Sequence, residues 1–522
     1  MSSVVHPCIA PDKVEERSYQ TNVVASCIRA NTLVILPTGL GKTIIALRVA
    51  AEYVGSGKIL ILAPTKPLLD QHLDTFSTLM VGHTVTVLNG SITPKKRAEV
   101  IAQYDVVIAT PQTISNDLQE GRYSLDPFSL IIYDEAHRGV GDYAYVTIAQ
   151  YCNRRMRSIG MTASPGANME KIKQVCVNLD LRRIEAKSED DRDVSPYVHD
   201  TYVTEVRVNL PDDIVAIDHF LKTLLSHYVS ELTSLRLMNP ARPPTRGHFL
   251  DIQRMLQVRL NSGEKTALIY RGLSLTAKGN KILHAIKLAE TQGITPLRLY
   301  IDKLEAEAAQ DKGGRTAREI IGRQEYKDMR KVLDSTNVEH PKVSKALSIV
   351  SRTLNDDPGS KVMIFTELRD TCDMLVSKLS AVSGARVAKL VGQSKDGMSQ
   401  KEQVELLERL RSGEVNVIVA TSVGEEGLDI SSTNAVVFYE PVPSEIRTIQ
   451  RRGRTGRKND GDVYVLIANG TMDEGTEASS KRKEEAMRAN IAKLNEDLSR
   501  GKPWIQDTAQ TGLDSYRRVD GQ

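Results

Sequence analysis

Six short apolar runs, rich in β-branched residues, punctuate the first 200 residues: 33–36, 59–63, 85–88, 106–109, 130–133 and 158–161. They lack the in-and-out alternation of a half-solvated strand, so they read as strands buried on both faces. The stretches between them are too long for hairpins and long enough for helical crossovers. That is the pattern of a parallel sheet covered on both sides. The same rhythm returns at 362–365, 387–390, 415–420, 436–439 and 463–467. A chain of 522 residues is too long for one core. The fold class read from this is α/β, with two parallel-sheet domains at 1–205 and 338–470.

Between the two series the period changes. Ile214, Ile217, Leu221, Leu224, Leu225, Tyr228, Leu232 and Leu235 recur at three and four, which is one face of a helix. Pro240, Pro243 and Pro244 break it, and Gly313-Gly314 marks a later turn. Residues 206–337 read as a helical insertion domain, or as long helical linkers with no function of their own. The remainder, 471–522, reads as a C-terminal helix over 481–498 followed by a mobile polar tail.

Charge distinguishes the insertion. Residues 221–300 hold twelve Lys/Arg against four Asp/Glu, a local +8 in a chain of net +3, so the rest carries −5. A concentrated basic segment is the footprint of a surface facing phosphates. Arg254, Arg259 and Lys265 are candidate contacts within it. Aromatic platforms for stacking on bases are sparse: one Trp, 17 Tyr and six Phe in the whole chain. Recognition of backbone and shape is therefore expected rather than base reading. Five cysteines, scattered and with no CxxC pair, argue against a disulfide framework and a zinc ribbon, and for a reducing cytosol. No apolar run reaches the length of a membrane span, and the N-terminus lacks a secretory layout.

Three clusters carry chemistry. Strand 33–36 runs into Pro37-Thr38-Gly39-Leu40-Gly41-Lys42-Thr43 and then an apolar helix. A glycine-rich turn brings backbone N–H groups against phosphate oxygens, and the helix N-terminus adds its dipole. Lys42 can reach the terminal phosphates and Thr43 can ligate Mg²⁺. The strict pattern wants Gly at 36, where this chain has Leu. About 90 residues later a strand ends in Asp134-Glu135-Ala136-His137. Parallel strands deliver their ends to one sheet edge. Lys42 and Glu135 are thus expected on adjoining strand ends, with Asp134 on Mg²⁺ and Glu135 on the attacking water as base or orienter. The third cluster, Gln450-Arg451-Arg452-Gly453-Arg454-Thr455-Gly456-Arg457, packs four arginines into eight residues of the second domain. It is either a solvated basic turn or a source of the arginine finger that phosphoryl transfer gains from, with Arg454 and Arg457 in that role.

In this order and spacing the clusters resemble those of superfamily 2 helicases and translocases with a DEAH-type box. The resemblance implies two RecA-like domains, ATP and Mg²⁺ as cofactors, and catalysis by Lys42, Glu135, Gln450, Arg454 and Arg457. Arg17-Ser18-Tyr19-Gln20 resembles the adenine-reading Q motif, with Gln20 on the base and Arg17 stacked on it. Ala63-Pro64-Thr65-Lys66-Pro67-Leu68 and Ala109-Thr110-Pro111-Gln112 resemble the backbone-contacting motifs Ia and Ib, implying strand contacts by Thr65, Lys66, Thr110 and Gln112. Thr162-Ala163-Ser164 resembles motif III, which with His137 links hydrolysis to domain movement. Ile364-Phe365-Thr366-Glu367 resembles motif IV. The segment from Ala420 through Thr421 and Gly427 to Asp429 resembles motif V, with Thr366 and Thr421 at the nucleic acid and Gly427 and Asp429 at the nucleotide.

The wording narrows further. Asp134-Glu135-Ala136-His137-Arg138 followed by Gly141-Asp142-Tyr143-Ala144-Tyr145 is similar to archaeal Hef and its relatives, the Fanconi anaemia M and Mph1 fork-remodelling helicases. So is Gly470-Thr471-Met472-Asp473-Glu474 leading to the basic run at 481–483. The resemblance covers nearly the whole chain to about residue 490. It implies an ATP-dependent DNA helicase acting on forked, branched or single-stranded DNA in replication-fork repair, in a cytoplasmic, nucleoid-associated, archaeal setting. The alternative is an RNA-directed ATPase of the same superfamily, whose members usually carry Cys in place of Ala136. Archaeal Hef often continues into a nuclease; no such motif is present here, so nuclease activity is not expected. Partners such as a sliding clamp leave no legible signal.

Overall fold

The computed structural model describes residues 2–499 apart from 38, 164, 167, 189–190, 198–200, 311–313, 393–396, 422–432 and 442–460. The first sheet has seven parallel strands: β1 (Thr32–Ile35), β2 (Lys58–Leu62), β3 (Val85–Leu88), β4 (Val106–Ala109), β5 (Phe128–Asp134), β6 (Arg157–Thr162) and β7 (Arg183–Ala186). Their order is β3-β4-β2-β5-β6-β1-β7. β1 and β4 are buried along their whole length, as continuous apolar runs require. Helices α1 (Ser18–Arg29) to α7 (Met169–Asn178) cover both faces, including α2 (Lys42–Tyr53), α3 (Lys66–Leu79), α4 (Pro94–Gln103), α5 (Pro111–Gln119) and α6 (Ala144–Ala149). Two apolar cores result, one on each side of the sheet.

The chain then changes sheet. β8 (Thr201–Val208) pairs along all eight residues with β13 (Gly461–Ala468), at the edge of the second sheet. A domain boundary at 205 therefore falls inside a strand. The chain leaves the first sheet after Ala186 and has joined the second by Thr201. The second sheet adds β9 (Val362–Phe365), β10 (Val387–Leu390), β11 (Val417–Ala420) and β12 (Ala435–Phe438), in the order β10-β11-β9-β12-β13-β8, again parallel. α14 (Pro341–Asp356), α15 (Arg369–Leu379) and α16 (Gln400–Ser412) flank it.

Between β8 and α14 lies a helical bundle with a core of its own, so these helices are packed together and are not separate linkers. It comprises α8 (Asp212–Ser234), α9 (Arg246–Asn261), α10 (Ala267–Lys287), α11 (Ile294–Ala308), α12 (Arg315–Ile321) and α13 (Gln324–Ser335). The face read from the sequence of α8 is buried as expected from Ile214 to Leu232. α9 and α10 pack so closely that a Cβ at Gly279 would overlap the Phe249 ring. The final helix, α17 (Met472–Ser499), starts well before the expected residue 481. Its Lys481 pairs with Glu205 at 2.5 Å and its Glu477 with Arg207 at 3.0 Å, both on β8. Its Ile491 packs against the core of the first domain. The expected mobile tail lies outside the described residues. No helix among the described residues is long and apolar enough to cross a membrane.

Candidate active site

The turn after β1 is shaped by two glycines in the left-handed region, Gly39 at φ 92° and Gly41 at φ 77°. Gly41 caps α2, and a Cβ there would lie 2.6 Å from Gln20 Nε2, so both its conformation and its surroundings call for glycine. Leu36, where the strict pattern has Gly, still belongs to the sheet: its N–H donates to Thr162 O at 3.1 Å and its side chain is fully buried. The phosphate-binding turn proper thus begins at Pro37. Lys42 Nζ donates to Leu36 O at 3.1 Å, which draws it across the turn. Thr43 is half-buried on the first turn of α2, and Leu40 is buried. Thr38 lies outside the described residues.

Two residues of the adenine motif already have protein partners. Gln20 is buried, and its amide donates to Leu40 O at 3.3 Å, beside Tyr19 O–H donating to the same carbonyl at 2.8 Å. It braces the phosphate turn, and its Oε1 has no protein partner. Arg17 lies over the ring of Tyr197 at 5.1 Å and pairs with Glu15 at 2.9 Å. Tyr197, which sequence reasoning missed, lies against the guanidinium expected to stack on a base.

β5 ends at Asp134, and the next residue, Glu135, takes φ 50°. A left-handed non-glycine residue is strained, and the strain turns Glu135 away from the strand direction. Asp134 Oδ1 accepts the Glu135 N–H at 3.0 Å, and Oδ2 meets His72 Nε2 at 2.9 Å. Burial opposes ionisation of Asp134, but the hydrogen bond from His72 and the nearby Lys42 charge hold its carboxyl below the usual carboxylate range. Tyr145 O–H donates to the carbonyls of Asp134 and Leu62, pinning the turn from below. Glu135 Oε2 is buried without a hydrogen-bond partner.

β1 and β5 are not adjoining: β6 lies between them, in register Ile35↔Thr162 and Asp134↔Met161. Thr162 therefore ends midway between Lys42 and Glu135. Its hydroxyl meets His137 Nδ1 at 3.0 Å. Ser164 lies outside the described residues.

α3 and α5 start at the same edge. Thr65 and Thr110 are their N-caps, each followed by a proline in the first turn. Thr65 Oγ1 is buried without a partner, while Lys66 and Gln112 are exposed. Thr110 Oγ1 meets Thr113 Oγ1 at 2.7 Å.

In the second domain Thr366 turns inward. It is buried, with its hydroxyl 3.4 Å from Glu440 Oε1, so it serves the core and is not presented to a strand as expected. Thr421, at the end of β11, is buried as well. Glu440 belongs to a buried polar junction that no motif announced. Lys342 is fully buried, ion-paired with Asp473 at the start of α17, and 5.4 Å from the Tyr439 ring centroid. Gly427, Asp429, Gln450, Arg454 and Arg457 lie outside the described residues.

The basic insertion is largely self-neutralised. Arg259 pairs with Glu264 at 2.5 Å, Arg271 with Glu231 at 2.5 Å, Lys281 with Glu307 at 2.6 Å and Lys287 with Glu367 at 2.5 Å. Arg254 lies 3.5 Å from Asp251. Among the described residues Arg236, Arg242, Arg246 and Lys265 are exposed and make no ion pair. Of the three candidate contacts, Lys265 alone retains uncompensated charge.

Comparison with known proteins agrees with this geometry. The family described as "Type III restriction enzyme, res subunit" matches residues 13–167, and "Helicase conserved C-terminal domain" matches 341–459. "Putative ATP-dependent RNA helicase, helical bundle" matches 215–340. A Methanocaldococcus jannaschii protein named "Putative ATP-dependent RNA helicase MJ1505" is 37% identical over 93% of this chain and 62% of its own. "ATP-dependent DNA helicase mph1" of Sclerotinia sclerotiorum is 32% identical over 91% of this chain and 41% of its own. The chain thus spans 62% and 41% of these two relatives' lengths. The crystal structure of the Pyrococcus furiosus Hef helicase domain matches with 40% identity and a TM-score of 0.71, over 91% of this chain and 100% of that one. With that domain matched from end to end, the chain belongs to the Hef and Mph1 group of superfamily 2 helicases, which are ATP-dependent enzymes.

Proposed function

We propose that the chain is the motor of an ATP-dependent DNA helicase or translocase acting on forked or branched DNA in replication-fork repair. One observation carries the reading. On the neighbouring strands β4, β2 and β5, the N-termini of α5 and α3 stand beside the turn that holds Asp134 and Glu135. Helix N-termini present N–H groups and a positive dipole to phosphates. A nucleic-acid backbone can therefore be gripped on the same edge as the nucleotide.

The residues fit ATP with Mg²⁺. The left-handed Gly41 opens the phosphate turn, Gln20 Oε1 is an unused acceptor, and each Asp134 oxygen holds one protein donor, which leaves a lone pair on each. Thr43 and Asp134 would hold the metal, which when bound neutralises phosphate charge and orients the phosphates. Lys42 would move from Leu36 O to the terminal phosphates. Glu135, whose Oε2 makes no hydrogen bond but lies 3.3 Å from His137 Nδ1, would orient the attacking water and take its proton. Gly427, Asp429, Gln450, Arg454 and Arg457 would complete the site from the second domain, with Thr421 at the nucleic acid.

The DNA assignment rests on the relatives named as DNA helicases. An RNA-directed ATPase is the second reading, favoured by the name of the Methanocaldococcus jannaschii relative. Ala136, in the place where those RNA-directed enzymes usually carry Cys, argues for DNA. The test is ATP-dependent strand displacement on a labelled DNA fork against an RNA duplex of the same shape. Displacement of RNA alone would overturn the DNA reading.

A further inference from the structure

α3 carries two unlike groups on one rigid element. Thr65 and Lys66 stand at its N-terminus, and its buried face holds Leu69, His72 and Phe76. His72 is 2% exposed, and its Nε2 meets Asp134 Oδ2 at 2.9 Å. Nε2 faces the Asp134 carboxylate, and Nδ1 is buried with no hydrogen-bond partner. An apolar side chain on this Leu/Phe face would leave no buried polar atom unsatisfied. The bond to Asp134 is what a histidine gains here.

The Asp134 carboxylate has two protein donors among the described residues. One is the N–H of Glu135, fixed to β5, and the other is His72, fixed to α3. The backbone of Asp134 is held separately by Tyr145. A shift of α3 at its N-terminus passes along the helix to His72, about 10 Å away at 1.5 Å per residue. It then reaches the carboxylate without passing through β5.

We propose that His72 is a positioning residue that couples strand binding at the α3 N-terminus to the placing of the Asp134 carboxylate, and so to the affinity for Mg²⁺-bound nucleotide. The proposal rests on the reading of Thr65 and Lys66 as strand contacts. Partners behind a ligating group typically change metal affinity or activity by about 10- to 100-fold.

The experiment measures binding of a fluorescent, non-hydrolysable ATP analogue with Mg²⁺, with and without saturating single-stranded DNA, and takes the ratio of affinities. Coupling ratios are typically about 5- to 150-fold. His72→Phe keeps the ring volume beside Phe76 and removes the donor; its ratio falls to about one, while strand affinity without nucleotide stays within about two-fold. His72→Gln, whose amide can donate to Asp134, keeps a ratio above that of His72→Phe. A His72→Phe chain with the wild-type ratio overturns the proposal alone. A wild-type chain that binds no strand overturns the functional reading and the coupling with it. Should His72→Phe not fold, ¹⁵N-histidine spectra of the wild-type chain decide. The His72 Nε2–H signal shifts when strand is added without nucleotide, and no shift overturns the proposal.

Discussion

His137 Nδ1 lies 3.0 Å from Thr162 Oγ1 and 3.3 Å from Glu135 Oε2. One imidazole nitrogen thus touches both the carboxylate assigned to the water and the end of β6. Thr162→Ala removes the link and leaves Lys42, Asp134 and Glu135 in place. Strand displacement should fall by about 3- to 30-fold, the range of a lost coupling of 0.5–2 kcal/mol, with ATP hydrolysis much less affected. Both rates are measured on one preparation, and an equal loss in both would contradict the link.

Glu135→Gln should bind nucleotide as the wild type does and lose turnover by about 100-fold or more, because proton acceptance and water placement fail together. Lys42→Ala should lose hydrolysis outright. Nucleotide affinity and single-turnover hydrolysis check both. Wild-type turnover in Glu135→Gln would remove Glu135 from its role.

Much of this site was legible because the apolar runs and the glycine-rich turn are local signals. What was not legible depends on distant pairing. β8 mixes Val203, Val206 and Val208 with Thr204, Glu205 and Arg207, as an edge strand does, and nothing local says which sheet it joins. His72 sits among polar residues, and its partner Asp134 is 62 positions away. Counting charge along the chain gave a basic insertion, but Lys281 finds Glu307 and Lys287 finds Glu367 across the fold. Nothing in the pattern warned that Thr366 would turn inward to Glu440.

The insertion prediction moves accordingly. Replacing Arg236, Arg242 and Arg246 with Ala should weaken fork binding and flatten its salt dependence by about one to three log units per log salt. Replacing the paired Arg254 and Arg259 should change the slope by less than about one unit. Binding across a salt series checks both. Equal slopes for the two variants would mean that the ion pairs do not decide which cations meet the fork.

Glu440 introduces a pH dependence. Burial pushes its carboxyl up to about 7, with Glu367 and Asp473 adding to the rise, while Lys342 and the Glu367 N–H oppose it. With the folded value above the ordinary 4.5, its contribution to stability is full below about 4.5 and is lost as pH rises through about 7. Glu440→Gln should therefore gain stability over the wild type at pH 8 more than at pH 6. Denaturant unfolding at the two values checks it, and an unchanged difference would contradict the buried-carboxyl account.

The central claim is that one sheet edge joins an ATP site to a DNA backbone and that the insertion adds recognition of branches. It is tested most directly by steady-state ATP hydrolysis with single-stranded DNA, forked DNA, a four-way junction and duplex RNA at matched nucleotide concentration. The account predicts stimulation by every DNA carrying a single strand or branch, strongest at the fork or junction, and little by duplex RNA. Stimulation by duplex RNA above all DNA forms, or by none of the four, would contradict it.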